Sequence, residues 1–141
     1  MAHLIRDCLC VALGGAIGSL ARYAIGIGAG LCLGKSFPWG TLIANVVGCF
    51  LMGIVVKVLL DLEAHSPEAI TSGLRNQFAL WHRGVAIGFL GGLTTFSTFG
   101  ADTLRELTSG QIKIALANIL ANVTCSLIAV WCGMALMQAV D

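Results

Sequence analysis

Apolar positions in this chain fall into four long blocks rather than the spaced stripes of a surface helix. They run from about Cys8 to Leu33, Thr41 to Leu60, Gly84 to Ala101 and Ile112 to Met137. A bilayer core requires roughly 20 mainly apolar helical residues, so these blocks predict four membrane-spanning helices, the first long enough to tilt or protrude. Pro38-Trp39-Gly40 predicts a turn with an aromatic interfacial anchor between the first two. The one long polar stretch, Asp61 to Arg83, predicts a surface hairpin with partial helix. Ser66 would cap that helix, Pro67 would enter its first turn, and Glu68 would lie near its positive end. The sparse apolar residues Leu74, Phe78, Leu80 and Trp81 suit a segment lying on the interface. Asp102-Thr103-Leu104-Arg105-Glu106 predicts a short charged connector, with Ser109-Gly110 as its turn. The expected fold is an all-α integral membrane protein, with residues 1–141 forming a single four-helix domain.

The third block departs from a regular helix. Gly91 and Gly92 each weaken helix by about 1 kcal/mol relative to Ala. Thr94, Thr95, Ser97 and Thr98 then bring hydroxyls close together, interleaved with Phe96 and Phe99. Non-helical backbone at membrane depth persists only where protein or a watery cavity satisfies it. One reading is a broken helix whose carbonyls and hydroxyls meet an ion. The other is a small-residue face packed on a neighbouring helix, and the series Gly84, Gly88, Gly92 marks such a face. Gly14/Gly18 and Gly26/Gly30 supply matching spacings in the first block.

Composition supports the membrane assignment: 57% of residues are apolar and 11% charged, with mean hydropathy +0.92. A net charge of +1 provides no basic field for nucleic acid. The six cysteines (Cys8, Cys10, Cys32, Cys49, Cys125, Cys132) lie mostly within apolar blocks, as small buried hydrophobes would, and complete no zinc site. The first block continues past any small-residue cleavage site and reads as a retained span. Nothing in the polar Asp61–Arg83 stretch resembles a catalytic constellation, and an enzyme is not expected. With four spans, Arg6, Lys57, Arg75 and Arg83 fall on one side and Lys35, Arg105 and Lys113 on the other. That near-balance removes most of the positive-inside bias and permits insertion both ways. Four short helices enclose little pore by themselves, so an oligomer is expected, with an antiparallel dimer as the geometry that equal insertion permits.

Arg22 is the only ionisable residue deep in a span. At the bilayer centre it would cost roughly 2.5–3.5 kcal/mol, so it should face water, an anion or a partner, or else snorkel to an interface. No Asp or Glu matches its depth, which favours anions over cations as cargo. Thr41, Asn45 and Gly48 share one helical face, as do Asn118, Asn122 and Ser126. These stripes could replace an anion's hydration shell or serve as interhelical hydrogen-bond glue. Phe96 and Phe99 lie three apart and can present positive ring edges to one side, or pack as core aromatics. Lys57 and Asp61, at i and i+4, suit an ion pair at a helix end.

At these residues the chain resembles the CrcB/Fluc family of fluoride channels. The likeness rests on Gly14-Gly15-Ala16-Ile17-Gly18-Ser19-Leu20-Ala21-Arg22-Tyr23, on Gly40-Thr41-Leu42-Ile43-Ala44-Asn45-Val46-Val47-Gly48, and on Gly88 through Phe99. The pieces fall in order across three spans, and the loop between spans two and three is longer than the family leads one to expect. The resemblance implies a passive, fluoride-selective channel of a bacterial inner membrane that exports cytoplasmic fluoride. It implies an antiparallel dual-topology homodimer with two pores and a broken third helix. Phe96 and Phe99 would flank the pore, Asn45 would be its amide, and Ser97 and Thr98 would belong to a polar track with Thr41. A structural sodium ion would sit at the dimer centre on the backbone carbonyls of Gly91 and Thr94 from both subunits, and Arg22 would attract anions at a vestibule. Asn118 and Asn122 stand where the family often has a Tyr and a Ser beside the pore. A small dual-topology multidrug transporter is the rival reading, but this chain lacks the buried carboxylate that would hold its cationic substrate.

Overall fold

The computed structural model describes residues 1–65 and 80–139, and all the elements among them are helical. Helix α1 spans Ala2–Cys32 and ends where Gly34 adopts φ +78, a left-handed stop that glycine takes without strain. Helix α2 spans Trp39–His65. Pro38 precedes it, and the Pro38 carbonyl accepts the first helical bond, from the Leu42 N–H at 3.2 Å. The Phe37 and Trp39 rings meet at this turn in a tilted contact, with centroids 4.7 Å apart.

The third crossing is composite. A π-helical stretch, Arg83–Leu90, runs directly into one α-turn, Gly91–Leu93; together these are α3. The Gly91 N–H donates to Ala86 O, five residues back, and also to Gly88 O. Thr94 and Thr95 are extended, and α4 then spans Phe96–Thr108. The glycine pair that the sequence marks as weakest is thus itself helical, and the extended residues are the two threonines that follow. Helix α5 spans Ile112–Gln138. Among the described residues four stretches are long and apolar enough to cross a membrane, Leu80–Thr108 being the third.

Three expectations change. Asp61 to His65 continue α2 rather than opening a hairpin, and the helix start at Ser66–Glu68, with Leu74 and Phe78, lies outside the described residues. Asp102–Glu106 is no connector but part of α4. Its charges do not end the helix because Asp102 is neutralised by Arg105 at 3.3 Å, one turn on. The helix closes later, at Gly110 (φ +80), where Gln111 N donates to Glu106 O at 2.8 Å and Gly110 N to Leu107 O at 3.1 Å. The cysteines are not buried within the single chain: Cys8, Cys32 and Cys125 are exposed and the other three partly so, all six free.

Glycine determines how closely the helices approach. Lipid tails provide no hydrophobic force between helices, so contact depends on van der Waals packing. A Cβ on Gly14 or Gly18 of α1 would strike the Gly84 or Phe89 carbonyl of α3. A Cβ on Gly88 would stand 2.8 Å from Val11 O, and one on Gly92 2.6 Å from Gly15 O. The glycine faces therefore meet backbone to backbone. Gly53 and Gly133 do the same between α2 and α5, against Val130 O and Phe50 O. These two pairings are the most extensive in the chain. Leu90 and Leu93 are fully buried between them, beside Val55 and Ala86. An ion pair that the sequence pattern did not suggest, Arg83 Nη1 to Asp7 Oδ2 at 3.0 Å, joins the starts of α3 and α1. The large apolar side chains of α1, Leu9, Leu13, Ile17 and Leu20 among them, point outward, as a lipid-facing helix requires.

Candidate functional site

The site grows from the two residues that leave the helix. Thr95 caps α4: its Oγ1 accepts from Thr98 N at 3.1 Å, bonds the Thr98 hydroxyl at 3.0 Å and lies 3.2 Å from Ser97 Oγ. Thr94 closes α3, sending both its N–H and its hydroxyl to Leu90 O at 3.0 Å. In a continuous helix the Thr95 N–H would bond Gly91 O. Here it donates to Asn45 Oδ1 on α2 at 2.8 Å, and Asn45 Nδ2 donates back to Thr95 O at 3.3 Å. One side-chain amide thus satisfies both main-chain groups of an extended residue that would otherwise be orphaned in an apolar setting.

That backbone N–H orients a whole chain of amides. It can only donate, so Asn45 must turn Oδ1 toward it, which leaves Nδ2 to donate to Thr95 O and to Asn122 Oδ1, the latter at 2.9 Å. Asn122 then directs Nδ2 to Asn118, meeting Oδ1 at 2.8 Å and the backbone O at 3.1 Å. Asn118, wholly buried, donates Nδ2 to Thr103 Oγ1 at 2.9 Å, and Thr103 donates to Phe99 O at 2.8 Å. The chain runs α2, α5, α4, and it ends on the carbonyl of a residue whose ring helps form the site.

Around this chain lies an open cavity of about 340 Å³ lined by Asn45, Thr94, Phe96, Phe99, Asn122 and Ser126, among others. The two phenyl rings lie 5.5 Å apart and inclined at 56°, so they do not stack face to face. Phe96 is 83% exposed in the single chain. No hydrogen bond among the described residues occupies the Ser126 hydroxyl, which is one turn beyond Asn122 on α5. The cavity's lining carries amides, hydroxyls and two phenyl rings and no charged side chain.

Seven residues singled out from the sequence, Asn45, Thr94, Thr95, Phe96, Phe99, Asn122 and Ser126, therefore converge. The other predicted site residues do not line this cavity. Ser97 and Thr98 are drawn to the Thr95 cap. Asn118 lies behind Asn122. Thr41 is buried and donates to Asp102 Oδ2 at 2.7 Å, so its partner is a carboxylate. Arg22 is half-buried on α1 and makes no hydrogen bond or ion pair among the described residues. Lys57 and Asp61 form the expected pair. Sequence reasoning missed Thr95 as a cap, although a Thr before a hydroxyl-rich run is such a signal. It also missed Thr103 and Asp102, which helix α4 brings inward and which no local pattern marks.

A cation could use main-chain oxygens here. The usual donor to Gly91 O is taken by Asn45, Gly91 is exposed, and extended Thr94 has left the helical ladder. Carbonyl oxygens of this kind fit a hard cation.

The family described as CrcB-like protein, Camphor Resistance (CrcB), matches residues 9–134. The chain is 39% identical over 125 residues to a protein of Geobacter sulfurreducens named fluoride-specific ion channel FluC, covering 89% of this chain and 91% of that one. A Geobacter metallireducens protein of the same name is 42% identical over 123 residues, covering 87% and 90%. One from Rhizobium meliloti is 40% identical over 131 residues, covering 93% and 95%. With a match that takes in all four crossings and the cavity between α2, α4 and α5, the chain belongs to the CrcB-like family.

Proposed function

We propose that this multi-pass membrane protein is a passive, fluoride-selective channel that lets cytoplasmic fluoride leave down its gradient. The observation that carries the reading is the cavity lined by the Phe96 and Phe99 rings, amides and hydroxyls with no charged group among them. Conduction requires binding favourable enough to enter and weak enough to leave. Positive ring edges and neutral donors meet that condition for a small anion, whereas a buried cation would trap it. The relatives' name points to the same ion. The protein is then a transporter of ions and not an enzyme.

The finer features belong to the same proposal. Thr94–Thr95 is the break in the third span, and two copies meet there in antiparallel orientation in a bacterial inner membrane. A sodium ion would be held by the Gly91 and Thr94 carbonyls of both copies, supplying positive charge and a fixed point between them. Arg22 would raise the local anion concentration near a vestibule. The hydroxyl left for fluoride in the cavity is that of Ser126, with Asn45 and Asn122 walling the path. A multidrug-type transporter is less well supported: the carboxylate of Asp102 is engaged by Thr41 and Arg105.

Purified protein in liposomes loaded with fluoride, with chloride as the control, tests the reading. Rapid fluoride efflux without chloride efflux is expected. No fluoride flux, or equal chloride flux, would sink it.

A further inference from the structure

Every N–H of the Asn45 and Asn122 side chains is already committed within the protein. Asn45 Nδ2 has two protons and two acceptors, Thr95 O at 3.3 Å and Asn122 Oδ1 at 2.9 Å. Asn122 Nδ2 likewise has two, the backbone O of Asn118 at 3.1 Å and its Oδ1 at 2.8 Å. The Thr95 N–H leaves no freedom to flip any amide, since reversing one would set donor against donor or oxygen against oxygen along the whole chain. Both amides line the cavity, yet neither has a proton to offer an ion in it.

We propose that Asn45, Asn122, Asn118 and Thr103 form a one-way hydrogen-bonded strut whose role is to position the ion path, and that Asn118 and Thr103 are positioning residues for it. The strut pins two points of the third crossing. At one end it holds the main chain of Thr95, the cap from which Phe96 projects. At the other, Thr103 Oγ1 holds the carbonyl of Phe99. Both ring-bearing residues are thereby referenced to α2 and α5, and the ring separation of 5.5 Å is held from outside the cavity. Thr103 is buried in the polar chain and does not line the cavity, so its influence on an ion must be indirect. A buried hydrogen-bonded network of this kind rigidifies its surroundings, and removing one member leaves a donor unpaired.

The inference rests on the channel reading, and its test separates the two. In wild-type protein carrying 15N-labelled asparagine, side-chain amide signals are followed as fluoride is raised from zero to saturation. The Asn45 and Asn122 signals should hold still and their protons should be protected from exchange with deuterium. Fluoride-dependent movement of either would overturn the strut and make the amides ion donors. In liposomes, Thr103→Val should lower fluoride efflux by roughly tenfold and raise the chloride share of the remainder, because a buried donor loses its acceptor. Thr103→Ser, which keeps the hydroxyl, should restore both. Wild-type flux and selectivity in Thr103→Val would overturn the proposal. If Thr103→Val does not assemble, the labelled wild-type experiment decides alone. A wild-type protein that does not conduct fluoride counts against the channel, while exchange protection still reports on the strut.

Discussion

Phe96 and Phe99 show how much a residue's surroundings determine its use. Three positions apart on α4, they converge on one cavity with rings 5.5 Å apart. An aromatic contact of this kind is worth about 0.5–1.5 kcal/mol. Phe96→Ile should therefore cut fluoride efflux by roughly tenfold while the assembled protein still elutes at its wild-type volume. Normal conduction in Phe96→Ile would remove the rings from the mechanism. Asn45 works differently, since its amide substitutes for main-chain partners of Thr95. Asn45→Leu should cost about 1–3 kcal/mol for each unpaired backbone group, seen as a lower unfolding midpoint in detergent. An unchanged midpoint would show that Thr95 finds other partners. The stripe Thr41–Asn45–Gly48 identified a polar face correctly, but not its partners. Thr41 meets Asp102, Asn45 meets Thr95, and a Cβ on Gly48 would collide with Thr94.

At the scale of elements, α1 and α3 are held by glycine faces legible in the sequence as spacings of four. The spacings state that two backbones can approach, and the structure shows which ones do. Gly88→Val should overpack this contact, where even a Cβ would stand 2.8 Å from Val11 O. A cost of roughly 1–3 kcal/mol follows, measurable as easier unfolding in detergent or bicelles. Wild-type stability would mean that α1 shifts without penalty. The length of α4 was not legible in the same way. A cluster of Asp102, Arg105 and Glu106 looks like a connector until the neighbouring helices are known. Those charges are satisfied side to side, and Thr103 turns inward to Asn118.

For the whole molecule, the proposed sodium ion would draw the Gly91 and Thr94 carbonyls of two copies together. Replacing sodium with a large organic cation should weaken the assembly, read as a rise in monomer by single-molecule photobleaching. An unaltered monomer fraction would speak against a cation at the interface. Balanced loop charge makes a second expectation: a C-terminal reporter should be found on both sides of the membrane in comparable amounts. Strict one-sided labelling would exclude the antiparallel arrangement.

Membrane span number and placement follow from composition and order alone, because a bilayer demands long apolar helices whatever they pack against. Several residues that line the cavity were legible too, because hydroxyls, amides and paired rings stand out in an apolar block. Partner choice was not. Each Asn has donors and acceptors enough for several roles, and only the meeting of α2, α4 and α5 selects one. Local propensity places the weakest helix at Gly91-Gly92, yet the chain leaves the helix at Thr94-Thr95, where Asn45 stands ready to take the freed backbone groups. A helix opens where something compensates its lost hydrogen bonds, and that compensation comes from residues 50 positions away in the chain.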